Sequence, residues 1–181
     1  FLPVIKKDKY AFNSQIEDVE MLHTVKTIKS SAFCNCSSLK NIKFSEKLTE
    51  IQDFAFLNCS SLKSISLPDS IKNLGEGVFK SCTNLEKIQL PKGLKELSPN
   101  LFENCRALET IILPDGLEII GEEAFSGCIN LKEIILPKSL KVIKKKAFKR
   151  CKSLKSIVFP EEVKHIGDMA FDGCKTLTSV V

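Results

Sequence analysis

Apolar residues recur along this chain with a period of 23 residues, and the period is unbroken from Ile16 to the C-terminus. An aliphatic residue occupies the third position after each repeated cysteine, as Leu39 does after Cys36 and Leu62 after Cys59. Such strict spacing is typical of stacked coils, because each coil must place its core side chains on those of its neighbour. The most regular feature is a Phe-Xaa-Xaa-Cys quartet, whose phenylalanines are Phe33, Phe56, Phe79, Phe102, Phe125, Phe148 and Phe171.

The pattern inside one repeat predicts two short segments and a corner. We number each repeat from the aliphatic residue, which makes Leu108 position 1 and Cys128 position 21. Positions 4 and 6 are apolar in every complete repeat, and this alternation predicts a short strand with one buried face. Proline at position 7 of five repeats ends strand pairing, because it has no N–H to donate. Positions 10 and 13 are apolar again, which predicts an extended or helical return segment before the Phe–Cys corner.

These features predict an α/β-type repeat solenoid in which one coil alone cannot bury its apolar stripe but seven stacked coils can. Residues 16–181 are expected to form seven 23-residue repeats plus the start of an eighth. Residues 1–15 are expected to form a degenerate first coil, in which Ala11-Phe12 resembles the Ala-Phe pair of the later corners. The chain starts without Met and stops midway through a predicted strand, so we expect it to be a piece of a longer array.

The repeat also resembles a known family. Its strand portion, Leu-Xaa-Xaa-Ile-Xaa-Leu, matches the opening of a leucine-rich repeat. The usual Asn or Cys after the strand is missing, and the repeat instead has Pro at position 7, Ile-Gly near 13–14, Ala-Phe at 17–18 and Cys at 21. This pattern, nearly intact in residues 108–128 and 154–174, resembles the BspA-like leucine-rich-repeat family. The resemblance implies a curved right-handed superhelix with a parallel concave β-sheet and short extended or helical segments on the return side.

Two functional classes are open at this point. The resemblance implies a surface-exposed or secreted protein that acts in adhesion or binding. An intracellular protein–protein scaffold is the alternative, since unpaired thiols suit a reducing compartment. The seven repeated cysteines are expected to be buried and unbridged, because their Cβ vectors should be parallel rather than facing. Cys34 departs from the repeat pattern and is expected to be exposed and prone to oxidation.

The sequence offers little for catalysis. Its two histidines, His23 and His165, lie in different repeats about six coils apart. No Gly-rich phosphate loop, serine-nucleophile motif or His-Glu-Xaa-Xaa-His motif occurs. A nucleophilic cysteine needs a nearby base in a partly open, electropositive setting, which a core ladder does not provide. We therefore expect a protein without enzymatic activity, cofactor or metal.

The formal net charge is +5, and one segment is strongly basic. The structural interpretation is a set of charge ladders between neighbouring coils. In it Lys145 and Lys146 lie against Glu122 and Glu123 of the preceding coil, Lys145 also lies against Asp168 of the next coil, and Lys149 lies against Asp172. Trp is absent and no aromatic residues interleave, so specific nucleic-acid recognition is not expected, and neither is membrane contact. The alternative is an anion-binding patch, whose candidate residues are Lys144, Lys145, Lys146, Lys149, Arg150 and Lys152.

The outward positions of the predicted strands, 3 and 5, supply the candidate binding surface. Position 5 changes from Lys, Ser and Gln in the first repeats to Ile, Ile, Val and Val in the last four. β-Propensity alone accounts for such residues, whereas a contiguous exposed apolar stripe marks a contact site for a protein ligand or a second copy of the chain. The candidate protein-binding residues are Gln89, Thr110, Ile112, Glu133, Ile135, Ser156 and Val158.

Overall fold

Each coil forms two short strands, one on either side of the turn that begins near position 7. The computed structural model describes residues 4–180, and all strand pairs in it are parallel and offset by one 23-residue repeat. In chain order the strands are β1 (Val4–Ile5), β2 (Asp18–Glu20), β3 (Thr27–Ile28), β4 (Asn41–Lys43), β5 (Glu50–Ile51), β6 (Ser64–Ser66), β7 (Asn73–Leu74), β8 (Lys87–Gln89), β9 (Glu96–Leu97), β10 (Thr110–Ile112), β11 (Ile119–Ile120), β12 (Glu133–Ile135), β13 (Val142–Ile143), β14 (Ser156–Ile157), β15 (His165–Ile166) and β16 (Ser179–Val180).

The even-numbered strands lie at positions 3–5, and we call them the first strands. The odd-numbered strands lie at positions 12–13 and form the return side. Together they build a parallel β-solenoid of about eight coils, as the period predicts. Of the two predicted forms of the return segment, the structure has the extended one, and residues 4–180 contain no helix.

The corner is the most uniform part of the solenoid. Each phenylalanine ring stacks on the next, with centroid distances between 5.2 Å for Phe33–Phe56 and 5.9 Å for Phe79–Phe102. From Cys59 on, each repeated thiol donates a hydrogen bond to the phenylalanine carbonyl of the preceding coil, as Cys105 Sγ does to Phe79 O at 3.1 Å, and Cys36 Sγ donates to Tyr10 O. Cysteine therefore suits position 21 because it is small, apolar and still able to donate to a buried carbonyl.

The corner backbone is joined to the next coil by N–H groups at positions 16, 18 and 20. Phe33 N, for example, donates to Ala55 O at 2.8 Å. Positions 16 and 20 have positive φ in every coil, which turns the chain sharply, and Asn at position 20 tolerates this conformation well, as in Asn58 (φ 58°) and Asn104 (φ 61°).

The first coil follows the same register as the others. Val4 and Ile5 pair with Thr27 and Ile28, one repeat later. Tyr10, rather than Phe12, takes the corner position and stacks on Phe33 at 5.1 Å between centroids. Phe12 is 76% exposed. The resemblance of Ala11-Phe12 to the later Ala-Phe pairs is therefore off by two residues.

All eight cysteines are free, which confirms the prediction that the seven repeated ones are unbridged. Cys34 is only 7% exposed, so the expectation that it is accessible was wrong. Cys34 occupies position 19 of its repeat, where its side chain is buried, and its sulfur accepts a hydrogen bond from Asn35 Nδ2 at 3.0 Å. The predicted burial of the cysteine ladder holds through Cys151, whereas Cys174 in the final coil is half-buried. Burial raises the pKa of the Cys82 thiol to about 12.

The hydrogen-bonded ladders between strands are interrupted, although the 23-residue repeat of the sequence is not. On the return side, two four-stranded sheets are separated between β7 and β9. In the other coils the N–H at position 14 donates to the preceding coil, as Gly121 N does to Leu97 O at 2.8 Å. At Ser98 the hydroxyl group instead donates to Leu74 O. Pro99 follows, and a residue before proline has a restricted backbone, which accounts for the altered contact.

The first strands pair two by two, as β2–β4, β6–β8, β10–β12 and β14–β16. The hydrogen bond at the strand entrance follows the same alternation. Between β10 and β12, Lys132 N donates to Glu109 O at 2.9 Å, while between β12 and β14 the equivalent bond from Lys155 N to Lys132 O is 3.4 Å. The first-strand ladder therefore repeats every two coils, although the sequence repeats every coil.

Candidate functional site

The first-strand face carries the residues that the sequence analysis singled out. In β10 and β12 the side chains at position 4 are buried and those at positions 3 and 5 are exposed. Ile112 is 87% exposed, Ile135 85% and Val158 63%. Ile112 and Ile135 are direct cross-strand neighbours, and Val158 follows β14 at the same position of the next coil. We call these three residues the apolar stripe; the fourth predicted member, Val181, lies outside the described residues.

The preceding coils present a different surface at the same positions. There, polar side chains bind one another across neighbouring coils. Lys43 Nζ lies 2.7 Å from Glu20 Oε1, and Asn41 Nδ2 donates to Asp18 Oδ1 at 2.7 Å. In the next pair of coils, Ser66 Oγ donates to Gln89 Oε1 at 3.0 Å. Gln89, one of the predicted protein-binding residues, therefore already has a hydrogen-bond partner within the chain.

Two of the open grooves on the first-strand face border the apolar stripe, and each coincides with a gap in the ladder. The β8–β10 groove has a volume of about 540 Å³, and the β12–β14 groove about 390 Å³. The first is lined by Ile88, Gln89, Leu90, Lys92, Ile112, Leu113, Pro114 and Asp115. The second is lined by Glu133, Ile134, Ile135, Leu136, Lys138, Ser156, Ile157, Val158, Phe159 and Pro160.

The structure divides the predicted protein-binding residues between these grooves. Gln89 and Ile112 line the β8–β10 groove, while Glu133, Ile135, Ser156 and Val158 line the β12–β14 groove. Thr110 is exposed and lines neither of these two grooves but a separate depression, together with Lys87 and Asn130. Sequence reasoning missed Lys92, Asp115 and Lys138, which follow the strands at position 8. The proline at position 7 was the available signal, because it turns the chain and leaves the next residue at the groove's end.

The basic segment is partly neutralised within the chain. Lys146 Nζ lies 3.0 Å from Glu123 Oε1, and Lys149 Nζ lies 4.0 Å from Asp172 Oδ2, both as the charge-ladder interpretation predicts. Lys144 Nζ reaches Glu96 Oε1 at 2.9 Å, two coils away. These ion pairs neutralise much of the positive charge that an anion-binding patch would need.

The remaining predicted cations, Lys145, Arg150 and Lys152, are exposed. Over residues 4–180 none of them lies within 4.0 Å of a carboxylate, so the predicted contacts of Lys145 with Glu122 and Asp168 do not form.

His23 and His165 are both exposed and belong to separate coils. In the part of the chain that the structure describes, no three His, Cys, Asp or Glu side chains are placed to hold a metal ion together.

Between residues 4 and 180, the structure has no helix with the length and apolarity needed to cross a membrane.

The fold and the repeat together define the class of protein. A parallel solenoid whose 23-residue coils place Leu, Ile and Phe in continuous buried ladders is a leucine-rich-repeat structure. The model of the BspA type leucine rich repeat region matches residues 4–118 and 95–181, with six copies. The chain therefore belongs to the BspA-type leucine-rich-repeat family.

Solved structures agree with this assignment. The chain is similar to a leucine rich cell surface protein from Faecalibacterium prausnitzii, with 28% identity and a TM-score of 0.83 over 91% of this chain and 47% of that one. It is similar to the T. pallidum leucine rich repeat protein, with 38% identity and a TM-score of 0.71 over 74% and 62%. A third similar structure is the pneumococcal vaccine antigen PcpA, at 26% identity and a TM-score of 0.55 over 92% and 50%.

In all three cases the chain spans less than two thirds of the other protein's length. No match was found among curated proteins.

Proposed function

We propose that this chain is a non-catalytic protein-recognition module that binds a protein ligand through the first-strand face of its later coils. In this proposal the first-strand face is the concave side of a right-handed superhelix. The observation that carries the proposal is the apolar stripe, whose three side chains are exposed and contiguous, while the preceding residues on the same strands, Ile111 and Ile134, are buried.

The energetics favour a contact role for the stripe. Contiguous exposed apolar surface is unfavourable in water, and covering it contributes roughly 25 cal/mol per Å² before the costs of association. The earlier coils show that β-propensity does not require Ile or Val at position 5, because Lys43, Ser66 and Gln89 form strands in the same register. The apolar residues are therefore not needed to build the fold.

We place the protein at the cell surface or outside the cell. The support is the similarity to a protein described as a cell surface protein and to a vaccine antigen. The intracellular scaffold is the second candidate, and the specific observation in its favour is the set of eight free cysteines, which suits a reducing compartment. Protease treatment of intact cells that express the full-length protein separates the two, because only the surface location predicts cleavage.

Binding measurements test the recognition proposal. Ligands are selected from a phage-displayed library of random linear peptides on the wild-type chain, and their affinities are then measured for the double variant Ile112→Ser/Ile135→Ser. We expect binding to weaken at least tenfold, because apolar contact with the stripe is lost.

The matched control is Lys43→Ser/Ser66→Ala, which changes the same strand position on the polar coils and should leave affinity unchanged. Circular dichroism establishes that both variants are folded. Selected ligands that bind the Ile112→Ser/Ile135→Ser variant as tightly as the wild type would overturn the proposal.

A further inference from the structure

The β12–β14 groove differs from the rest of the first-strand face in its charges. Glu133 lies where β12 begins, and Lys138 lies just past Pro137, where the strand has ended. Ile135 and Val158 lie between these two charges, and Phe159 and Pro160 form part of the wall. The groove therefore has an acidic end, an apolar middle and a basic end.

Neither charged residue has an ion-pair partner. In the described chain, no opposite charge lies within 4.0 Å of Glu133 or Lys138, and neither side chain makes a hydrogen bond within the chain. At some equivalent positions in earlier coils the charges are engaged, although Lys87 at position 3 and Asp115 at position 8 also have no ion-pair partner among the described residues. Asp18 at position 3 accepts from Asn41, and Lys92 at position 8 lies 3.6 Å from Asp69. The groove thus presents two charges that a ligand is free to use.

The spacing of the charges indicates the kind of ligand. Lys138 comes five positions after Glu133, so at about 3.3 Å per residue the two lie at most about 17 Å apart along the strand direction. An extended peptide that lies parallel or antiparallel to β12 covers this distance with about five residues. Opposite charges at the two ends of such a segment would match the groove, and apolar side chains between them would cover Ile135 and Val158.

The area of the stripe argues against a second copy of this chain as the occupant. Three largely exposed aliphatic side chains offer on the order of 400 Å². A stable interface between two folded proteins buries about 800 Å² on each partner. A short segment of another protein needs less area and can enter the groove, whereas a second solenoid would meet it with a similarly shaped face.

We propose that the β12–β14 groove binds an extended apolar segment of a partner protein, with a basic residue of that segment at Glu133 and an acidic residue at Lys138. The inference rests on the proposed function, and it adds the groove, the direction of the segment and its charges. It predicts a ligand pattern of one basic and one acidic residue separated by about four mainly apolar residues.

The test uses the same library of random linear peptides, selected in parallel on the wild type, Glu133→Lys and Lys138→Glu. Wild-type selections should be enriched in apolar peptides flanked by one basic and one acidic residue. Glu133→Lys should shift the enriched pattern to two acidic residues, and Lys138→Glu should shift it to two basic residues. Each reversal should weaken a wild-type ligand about fivefold, the upper range for an exposed ion pair.

Control variants separate the groove from general charge effects. Glu46→Lys and Lys47→Glu make the same charge reversals at exposed sites in an earlier coil and should change neither pattern nor affinity. Val158→Ser should weaken the wild-type ligands roughly fivefold to tenfold, while Ile112→Ser, in the other groove, should leave them unchanged.

The outcomes distinguish this inference from the proposed function. Ligands that lose affinity with Ile112→Ser/Ile135→Ser but show no charge pattern would overturn the groove assignment and leave protein recognition by the stripe intact. Equal sensitivity to Ile112→Ser and Val158→Ser would also overturn it, because the ligand would then run across the coils. Ligands indifferent to every stripe variant would overturn both.

Discussion

The Phe–Cys corner and the first-strand face belong to the same coils but follow different rules. At the corner, each coil repeats the same ring stacking, thiol hydrogen bond and left-handed turns. On the first-strand face, the side chains change from mutually paired polar groups to bare aliphatic ones, and the ladder is interrupted after every second strand. The comparison teaches that the core constrains one side of each coil and leaves the other side free to vary.

The physical reason for the difference is burial. A corner side chain touches the equivalent residues in the coils before and after it, so a change in size or polarity disturbs three coils. An outward side chain on a first strand meets solvent and two neighbours at most. Variation there costs little stability, which makes this face the place where recognition can be altered without loss of the fold.

The largest expected effect is the loss of one corner ring. Phe125→Ala should lower the free energy of unfolding by about 3–5 kcal/mol, because it leaves a cavity between the stacked rings of Phe102 and Phe148. Urea denaturation followed by circular dichroism measures the change. Phe12→Ala is the control. Because the Phe12 ring is exposed, its removal should change the free energy of unfolding by less than about 0.5 kcal/mol. A loss below about 1 kcal/mol for Phe125→Ala would contradict the comparison.

The next effect is a loss of stability at alkaline pH. Burial raises the pKa of Cys82 from an ordinary value of 9.0 to about 12, and the pKa of Cys105 is raised well above 9.0 as well. Above pH 9 the unfolded chain releases these protons while the folded chain retains them. The free energy of unfolding should therefore fall as pH rises from about 9 to about 12, by about 1.4 kcal/mol per pH unit for each such thiol.

Denaturation midpoints measured across this pH range test the alkaline effect. Lysines also titrate there, so the decisive comparison is between the wild type and Cys82→Ala, whose slope should be smaller by one proton per molecule. An unchanged slope would show that Cys82 titrates normally in the folded state.

A smaller effect is expected from the double variant Ile112→Ser/Ile135→Ser in the absence of ligand. Because both side chains are more than four-fifths exposed, unfolding free energy should change by less than about 1 kcal/mol. Thermal denaturation provides the measurement. If the double variant fails to fold, the face has a structural role and the contrast with the corner is lost.

The smallest expected effect concerns the basic segment. The Lys146–Glu123 pair should couple by about 0.2–1 kcal/mol in a double-mutant cycle at low salt and by less at high salt, because both side chains are a quarter exposed. Lys145 with Glu122 is the matched comparison one residue away and should show no coupling, since no contact forms between them. Coupling in the second cycle equal to the first would mean that general charge, rather than the specific pair, is responsible.

Much of the fold could be predicted from the spacing alone. The inward direction of Ile111 and Leu113 and the outward direction of Ile112 follow from simple alternation, and the structure has them so. The unbridged thiols followed from the parallel directions expected of stacked side chains. Less predictable were Tyr10 as the first corner residue and the burial of Cys34, because both depend on contacts with a neighbouring coil rather than on a residue's own repeat.

The amino-acid sequence by itself determined the period, the parallel stacking and the set of side chains that form the core. These depend on local alternation and on repetition, and both can be read along one chain. Only the tertiary structure decided which first strands share a ladder, that the return segments are extended, and that Lys138 and Glu133 lie at opposite ends of one groove. Such features arise from small differences in how neighbouring coils fit together, and a strictly repeated sequence pattern does not contain them.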